Sequence, residues 1–110
     1  FCTNFRKYGT FRPIPFDSHQ LMGCVAPRLL YITSASTDLW AGPQGEFEAA
    51  RRASEIWKLY GRPGLSISEF PKVNTSALDG CVGYHLREGK HGLTPYDWER
   101  FMDFADKHMK

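Results

Sequence analysis

Two nearly continuous apolar runs stand out along the chain, and each is followed by a stretch in which apolar residues recur every three to four positions. The first run, Leu29-Leu30-Tyr31-Ile32-Thr33, sits between Arg28 and a small polar segment, Ser34 to Thr37. A run of that length between turn signals predicts a strand buried on both faces, as in a parallel sheet. Cys81-Val82-Gly83-Tyr84-His85-Leu86 predicts a second strand of the same kind.

The helical segments carry their own punctuation. Over residues 43–60, Phe47, Ala50, Ala53, Ile56, Trp57 and Tyr60 keep helical spacing. Pro43 suits the first helical position, Glu46 and Glu48 suit the positive end of the helix dipole, and Gly61 suits a C-cap. A final helix opens at Pro95 or Tyr96 and carries Trp98, Phe101, Met102, Ala105 and Met109 on one side. A short helix capped by Asp17 or Ser18 places Leu21, Met22 and Val25 together and stops before Pro27. Residues 1–16, with Pro13 and Pro15, read as irregular, and the Gly/Pro/Ser-rich stretch 61–80 reads mostly as loop.

Strands that alternate with helices make the expected class α/β with a parallel sheet. Two parallel strands cannot stand alone, because their faces need helices and their edges need neighbours. Further strands are therefore expected from residues before Phe1. The start Phe1-Cys2-Thr3 has neither a basic n-region nor an apolar h-region, so it does not read as a signal peptide. The chain reads as part of something longer.

Its 110 residues suffice for one domain or a piece of one. No apolar run nears the ~18 residues of a membrane span. Fourteen basic against twelve acidic residues give a net charge of +2, which argues for neither nucleic acid nor an acidic partner. Cys2, Cys24 and Cys81 form no C-x-x-C pair, so buried or unpaired thiols are expected, with a disulfide left open. Asn74-Thr75-Ser76 fits the glycosylation acceptor pattern, which is common by chance.

In open α/β sheets the chemistry sits on loops beyond the carboxyl ends of strands. One such loop presents Asp38 and the other His91. If their strands are neighbours, the carboxylate can accept a hydrogen bond from the imidazole and stabilise the imidazolium formed in proton transfer. Asp38 can equally serve as a cap or turn former, and His91 as a surface histidine. No Gly-x-Ser-x-Gly elbow supplies a nucleophile: Ser34, Ser36, Ser54, Ser66 and Ser68 lie outside any strand–turn–helix context of that type. In the α/β-hydrolase order of Ser, acid, His, the serine would lie upstream of Phe1. Mid-strand His85 is expected to pack or bond a neighbour, and His19 and His108 to sit at the surface. Asp38, His85 and His91 offer a metal only without the usual His-x-His or His-x-x-x-His spacing, so no metal is expected. Trp57 and Trp98 are core by default. Trp40, on the Asp38 loop, is either a rim aromatic or a sugar platform.

Three blocks, Asp38-Leu39-Trp40-Ala41-Gly42-Pro43-Gln44-Gly45-Glu46-Phe47, Gly83-Tyr84-His85-Leu86-Arg87-Glu88-Gly89-Lys90-His91 and Tyr96-Asp97-Trp98 through Phe104-Ala105-Asp106, resemble the C-terminal part of the glucuronoyl esterases. Asn4-Phe5-Arg6-Lys7-Tyr8, Pro15-Phe16-Asp17 and Ala26-Pro27-Arg28 are similar to its bacterial branch, so the resemblance covers nearly the whole chain. It implies the C-terminal segment, residues 1–110, of a single α/β-hydrolase catalytic domain, a three-layer sandwich. It also implies a serine esterase that cleaves esters joining 4-O-methyl-glucuronic acid on xylan to lignin alcohols. His91 matches the catalytic histidine, Asp38 the acid of the bacterial branch, and Trp40 a tryptophan that contacts the uronate. No cofactor, nucleic acid or membrane is implied. The partners implied are the substrate and the preceding part of the same domain, in a secreted or periplasmic protein. The chain departs from the family in carrying Gly42 where Asp is usual. It also lacks the nucleophile motif Gly-Cys-Ser-Arg-x-Gly-Lys with its oxyanion-hole Arg, and some members place the acid on an earlier strand. An acetyl esterase on the same scaffold, or a non-catalytic carbohydrate-binding fragment, are the alternatives.

Overall fold

Among the described residues, alternation of apolar runs with amphipathic stretches builds a three-stranded sheet with helices on both faces. The computed structural model describes residue 8 and residues 14–110. The irregular segment expected before Phe16 lies largely outside the described residues, as does Cys2.

The first helix among the described residues, α1 (Ser18–Gly23), starts where Asp17 accepts the Ser18 N–H at 2.7 Å, while Gln20 Oε1 accepts the Asp17 N–H at 2.8 Å. The Asp17 side chain also accepts from the Gln20 backbone, which completes a reciprocal capping box and satisfies donors that a helix start leaves open. A side chain at Gly23 would put its Cβ 2.0 Å from Ile56 Cδ1, so the glycine lets α1 lie close on the long helix. That helix, α2 (Pro43–Leu59), has Pro43 at its start and stops at Gly61, whose φ is +67°. There Gly61 N–H donates to Lys58 O and Arg62 N–H to Trp57 O, the paired bonds of a glycine-terminated helix end.

Strands β1 (Leu30–Ala35), β2 (Thr75–Ala77) and β3 (Val82–Arg87) order as β1-β3-β2. β1 and β3 run parallel, with Leu30 opposite Val82 and Ala35 opposite Arg87. β2 runs antiparallel to β3, so the sheet is mixed rather than wholly parallel. Its three residues lie in the stretch read as loop, too short to carry a periodic signal. Every residue of β3 is buried, whereas Leu30 to Thr33 of β1 are half-buried. The difference follows position: β3 is central, and among the described residues β1 has a strand on one side alone.

The two sheet faces hold different helices. Phe47, Ala50, Ala53 and Trp57 of α2 pack on the face that carries Val82, Tyr84 and Leu86. Trp57 is fully buried and its indole N–H donates to Arg28 O at 2.9 Å, which removes the cost of burying that donor. On the other face, the last helix, α3 (Pro95–Met109), brings Phe101 and Phe104 against Tyr31, at ring separations of 5.2 and 4.9 Å. Gly83 makes room for them, because a Cβ there would meet Tyr31 Cδ2 at 2.5 Å and Phe104 Cδ2 at 2.9 Å. The apolar stripe of α3 is wider than its contact with the sheet. Trp98, expected in the core, is 57% exposed and leans on the edge of Phe101.

Candidate active site

Loop geometry follows from strand register. Because β1 and β3 are parallel neighbours, their carboxyl ends lie side by side, and the chain leaves both strands at the same edge. Ser36 N–H donates to Arg87 O at 2.9 Å and Thr37 N–H to Gly89 O at 3.0 Å, so the two loops stay paired beyond the strands. Asp38 then closes a turn, its carbonyl accepting from Ala41 and Gly42.

This stitching brings Asp38 Oδ2 to 2.7 Å from His91 Nδ1. A carboxylate accepts only, so the Nδ1–H of His91 is the donor in this contact. Asp38 is mostly covered, with 12% of its side chain exposed, and His91 stands out at 86%. A sheltered carboxylate behind an accessible imidazole is a geometry that can support proton transfer. The pair borders a cleft of about 250 Å³, lined also by Thr33, Ser34, Glu46 and Arg87. Glu46, read from sequence only as a helix-start residue, puts a second carboxylate on this cleft and accepts the Ser34 hydroxyl at 2.6 Å. Trp40 lies exposed on the Asp38 loop, two residues after the acid.

The remaining histidines do other things. His85 is fully buried beneath the site, facing α3. Its Nδ1 accepts the Tyr31 hydroxyl at 2.9 Å, and its Nε2–H points at Asp97 Oδ1 at 2.8 Å and Thr33 Oγ1 at 2.7 Å. Burial pushes its pKa down, against the pull of Asp97, which matches a neutral ring with the proton on Nε2. Burial would raise the pKa of Asp97, but hydrogen bonds from His85, Thr94 and Thr33 hold the carboxyl well below the usual range. Burial raises Tyr31 and keeps it a donor. His85 is thus committed away from Asp38 and His91, and no group of three metal-ligating side chains gathers among the described residues. His19 sits near Asp17 at 3.6 Å. His108, expected at the surface, is half-buried with Nε2 2.6 Å from Leu78 O, because the end of α3 lies against the segment that follows β2.

Asp97 and Arg87 were not singled out from sequence. Asp97 accepts both the backbone N–H and the hydroxyl of Thr94, at 2.6 and 2.8 Å, and so closes the capping box that starts α3. Thr94-x-x-Asp97 is a legible cap signal. Its second duty, pairing with Arg87 at 2.9 Å across the sheet face, needs the tertiary structure. Among the described residues Cys24 is an exposed free thiol and Cys81 a buried one. No helix there is long and apolar enough to cross a membrane.

Comparison with known proteins places this arrangement in context. The family model "Glucuronyl esterase, fungi" matches residues 1–61. Carbohydrate esterase MZ0003, from an unknown prokaryotic organism, is 41% identical over 110 residues, which are 99% of this chain and 25% of that protein. The 4-O-methyl-glucuronoyl methylesterase of Hypocrea jecorina (strain QM6a) is 37% identical over 62 residues, 56% of this chain and 13% of that protein. The solved structure of a promiscuous CE15 esterase from a marine bacterial metagenome superposes with a TM-score of 0.92 at 41% identity, over 99% of this chain and 28% of the other. The chain therefore spans about a quarter of the length of the prokaryotic relative.

Proposed function

Because this chain belongs to the glucuronoyl esterase family, we propose that it forms the histidine-and-acid side of a serine esterase site for 4-O-methyl-glucuronoyl esters. The observation that carries the reading is the 2.7 Å contact between His91 Nδ1 and Asp38 Oδ2 at the edge of an open cleft. The nucleophilic serine comes from the part of the domain that this chain does not span.

In this mechanism His91 Nε2 removes the proton from the serine hydroxyl as its oxygen attacks the ester carbonyl. Asp38 holds the ring in the tautomer with the proton on Nδ1 and stabilises the imidazolium that results. When the tetrahedral intermediate collapses, His91 gives its Nε2 proton to the departing alcohol. A water molecule then attacks the acyl-enzyme with His91 Nε2 taking its proton, and His91 returns that proton to the serine oxygen as the acyl–serine bond breaks and the uronic acid leaves. Trp40, two residues from the acid, lines the uronate pocket and offers an aromatic face to the sugar. The chemistry calls for no metal or organic cofactor. A substrate that joins xylan to lignin implies a role in lignocellulose breakdown and a secreted or periplasmic enzyme.

The test of this reading is substrate choice. A family-length chain carrying these residues should hydrolyse the methyl or benzyl ester of 4-O-methyl-glucuronic acid in preference to acetylated xylose. Preference for the acetyl ester would move the assignment to an acetyl esterase on the same fold.

A further inference from the structure

His91 raises a physical problem. Its side chain is 86% exposed, so packing does not hold it, and its loop is bounded by Gly89 at φ +110° and Gly92 at φ +138°. Two glycines in that region give a backbone little stiffness of its own. A base must nevertheless be held within a fraction of an ångström of its productive place.

The constraint comes from below. Arg87, at the end of β3 and 5% exposed, directs its guanidinium along the underside of the loop. Its Nη2 donates to Lys90 O at 2.8 Å and also to Gly92 O, the two carbonyls that flank His91. Nη1 donates to Glu88 O at 3.1 Å. One planar group thus ties three carbonyls of a five-residue turn. The third nitrogen, Nε, reaches both carboxylate oxygens of Asp97, at 2.9 and 3.1 Å. Asp97 is fully buried, and Thr33 from β1, His85 from β3 and Thr94 at the start of α3 all donate to it. Anchorage therefore runs from both parallel strands and a helix start, through a rigid fork, to the carbonyls of the residues on either side of His91.

We infer that Arg87, anchored by Asp97, is a positioning residue that fixes the loop aiming His91 at Asp38. It acts through His91 and not on the substrate. A lysine there keeps the charge and can pair with Asp97, but it lacks the fork that spans the loop carbonyls. The inference rests on the triad reading of His91, so its test separates the two.

The experiment measures kcat, KM and melting temperature in a family-length chain for Arg87→Lys, Arg87→Gln, His91→Ala and the double variant Arg87→Lys/His91→Ala, with a methyl glucuronate ester as substrate. Both Arg87 variants should lower kcat about ten- to a hundred-fold per folded molecule and change KM less than about three-fold, as for a misplaced base. In the His91→Ala background Arg87→Lys should cost less than about two-fold more, because residues acting as one unit are not additive. Equal losses in both backgrounds would make Arg87 a scaffold or substrate contact and overturn the inference. Unchanged kcat in both Arg87 variants beside a crippled His91→Ala would overturn it while leaving the triad reading intact. A His91→Ala enzyme with full turnover would remove the triad reading and the inference together.

Discussion

Asp38 and His91 stand 53 positions apart in the chain, one more than the 52 that separate the paired strand residues Thr33 and His85. The site geometry is therefore an extension of strand register. A loop that leaves β1 and a loop that leaves β3 overhang the sheet by nearly equal lengths, and their side chains meet at 2.7 Å. An insertion in either loop would separate them without disturbing the sheet.

The acid's role can be read from an isosteric change. Asp38→Asn keeps the volume, but its amide group can donate to the ring and favour the wrong imidazole tautomer. In a family-length chain it should lower kcat by about 10²–10⁴-fold with folding intact, by analogy with the serine protease triad. A loss under about ten-fold, with the fold shown unchanged by circular dichroism, would assign the acid's role to another strand.

Trp40 should affect sugar binding more than stability. Trp40→Ala removes an aromatic contact from an exposed loop, so kcat/KM on a uronate ester should fall about ten- to a hundred-fold, equivalent to roughly 1–3 kcal/mol. A simple aryl acetate, which has no sugar to hold, should be hydrolysed nearly as before. Equal losses on both substrates, together with a large drop in melting temperature, would make Trp40 structural.

Stability should decline in acid, and His85 should set where the decline begins. The folded pKa of His85 lies below its unfolded value, so the unfolded chain takes up protons first. Its contribution is complete above the unfolded value of about 6.5 and is lost as pH falls from there toward the folded value. Asp97, also depressed, contributes above its unfolded value of about 3.9 and loses that contribution at lower pH. Urea midpoints measured from pH 8 down to pH 4 should fall with pH in the wild type. They should fall less steeply below pH ~6.5 in His85→Gln, which cannot titrate there. Identical slopes in the two proteins would show that His85 does not carry this dependence.

Two glycines offer opposite outcomes from the same substitution. Gly83→Ala forces a methyl to within 2.5 Å of the Tyr31 ring and 2.9 Å of Phe104, and should destabilise the fold. Overpacking of this kind costs about 1–3 kcal/mol. Gly45→Ala, in the first turn of α2, meets nothing within 4 Å and should stabilise by about 0.5–1 kcal/mol. Denaturant midpoints for both variants would settle the contrast; a neutral Gly83→Ala would mean that Tyr31 and Phe104 can move aside.

Much of this architecture is legible because local signals agree with it. Pro43 and Gly61 bracket α2 at the positions where each is favoured, and Asp17 caps α1 as its spacing suggests. The runs around Ile32 and Tyr84 mark the two parallel strands. β2 escaped because three residues, Thr75 to Ala77, carry no period and gain their pairing wholly from β3. Trp98 misled because a stripe tells which side of a helix is apolar, not how much of that side the sheet covers. At the site, Asp38 and His91 could be placed on neighbouring loops, since parallel strands end on one edge. Arg87 and Asp97 could not, because a charge at a strand end and an acid in a helix cap each have an ordinary local explanation. Their second use appears only when α3 folds back across the sheet and pairs them at 2.9 Å.

The most direct test is the turnover of His91→Ala in a family-length chain, on a methyl ester of glucuronic acid, with melting temperature measured alongside. His91 is largely exposed, so its removal should leave stability nearly unchanged. If it is the base, kcat should fall about 10⁴–10⁶-fold, the loss expected when one member of a nucleophile–base unit is removed. Turnover close to that of the wild type, in a protein that melts at the same temperature, would contradict the account.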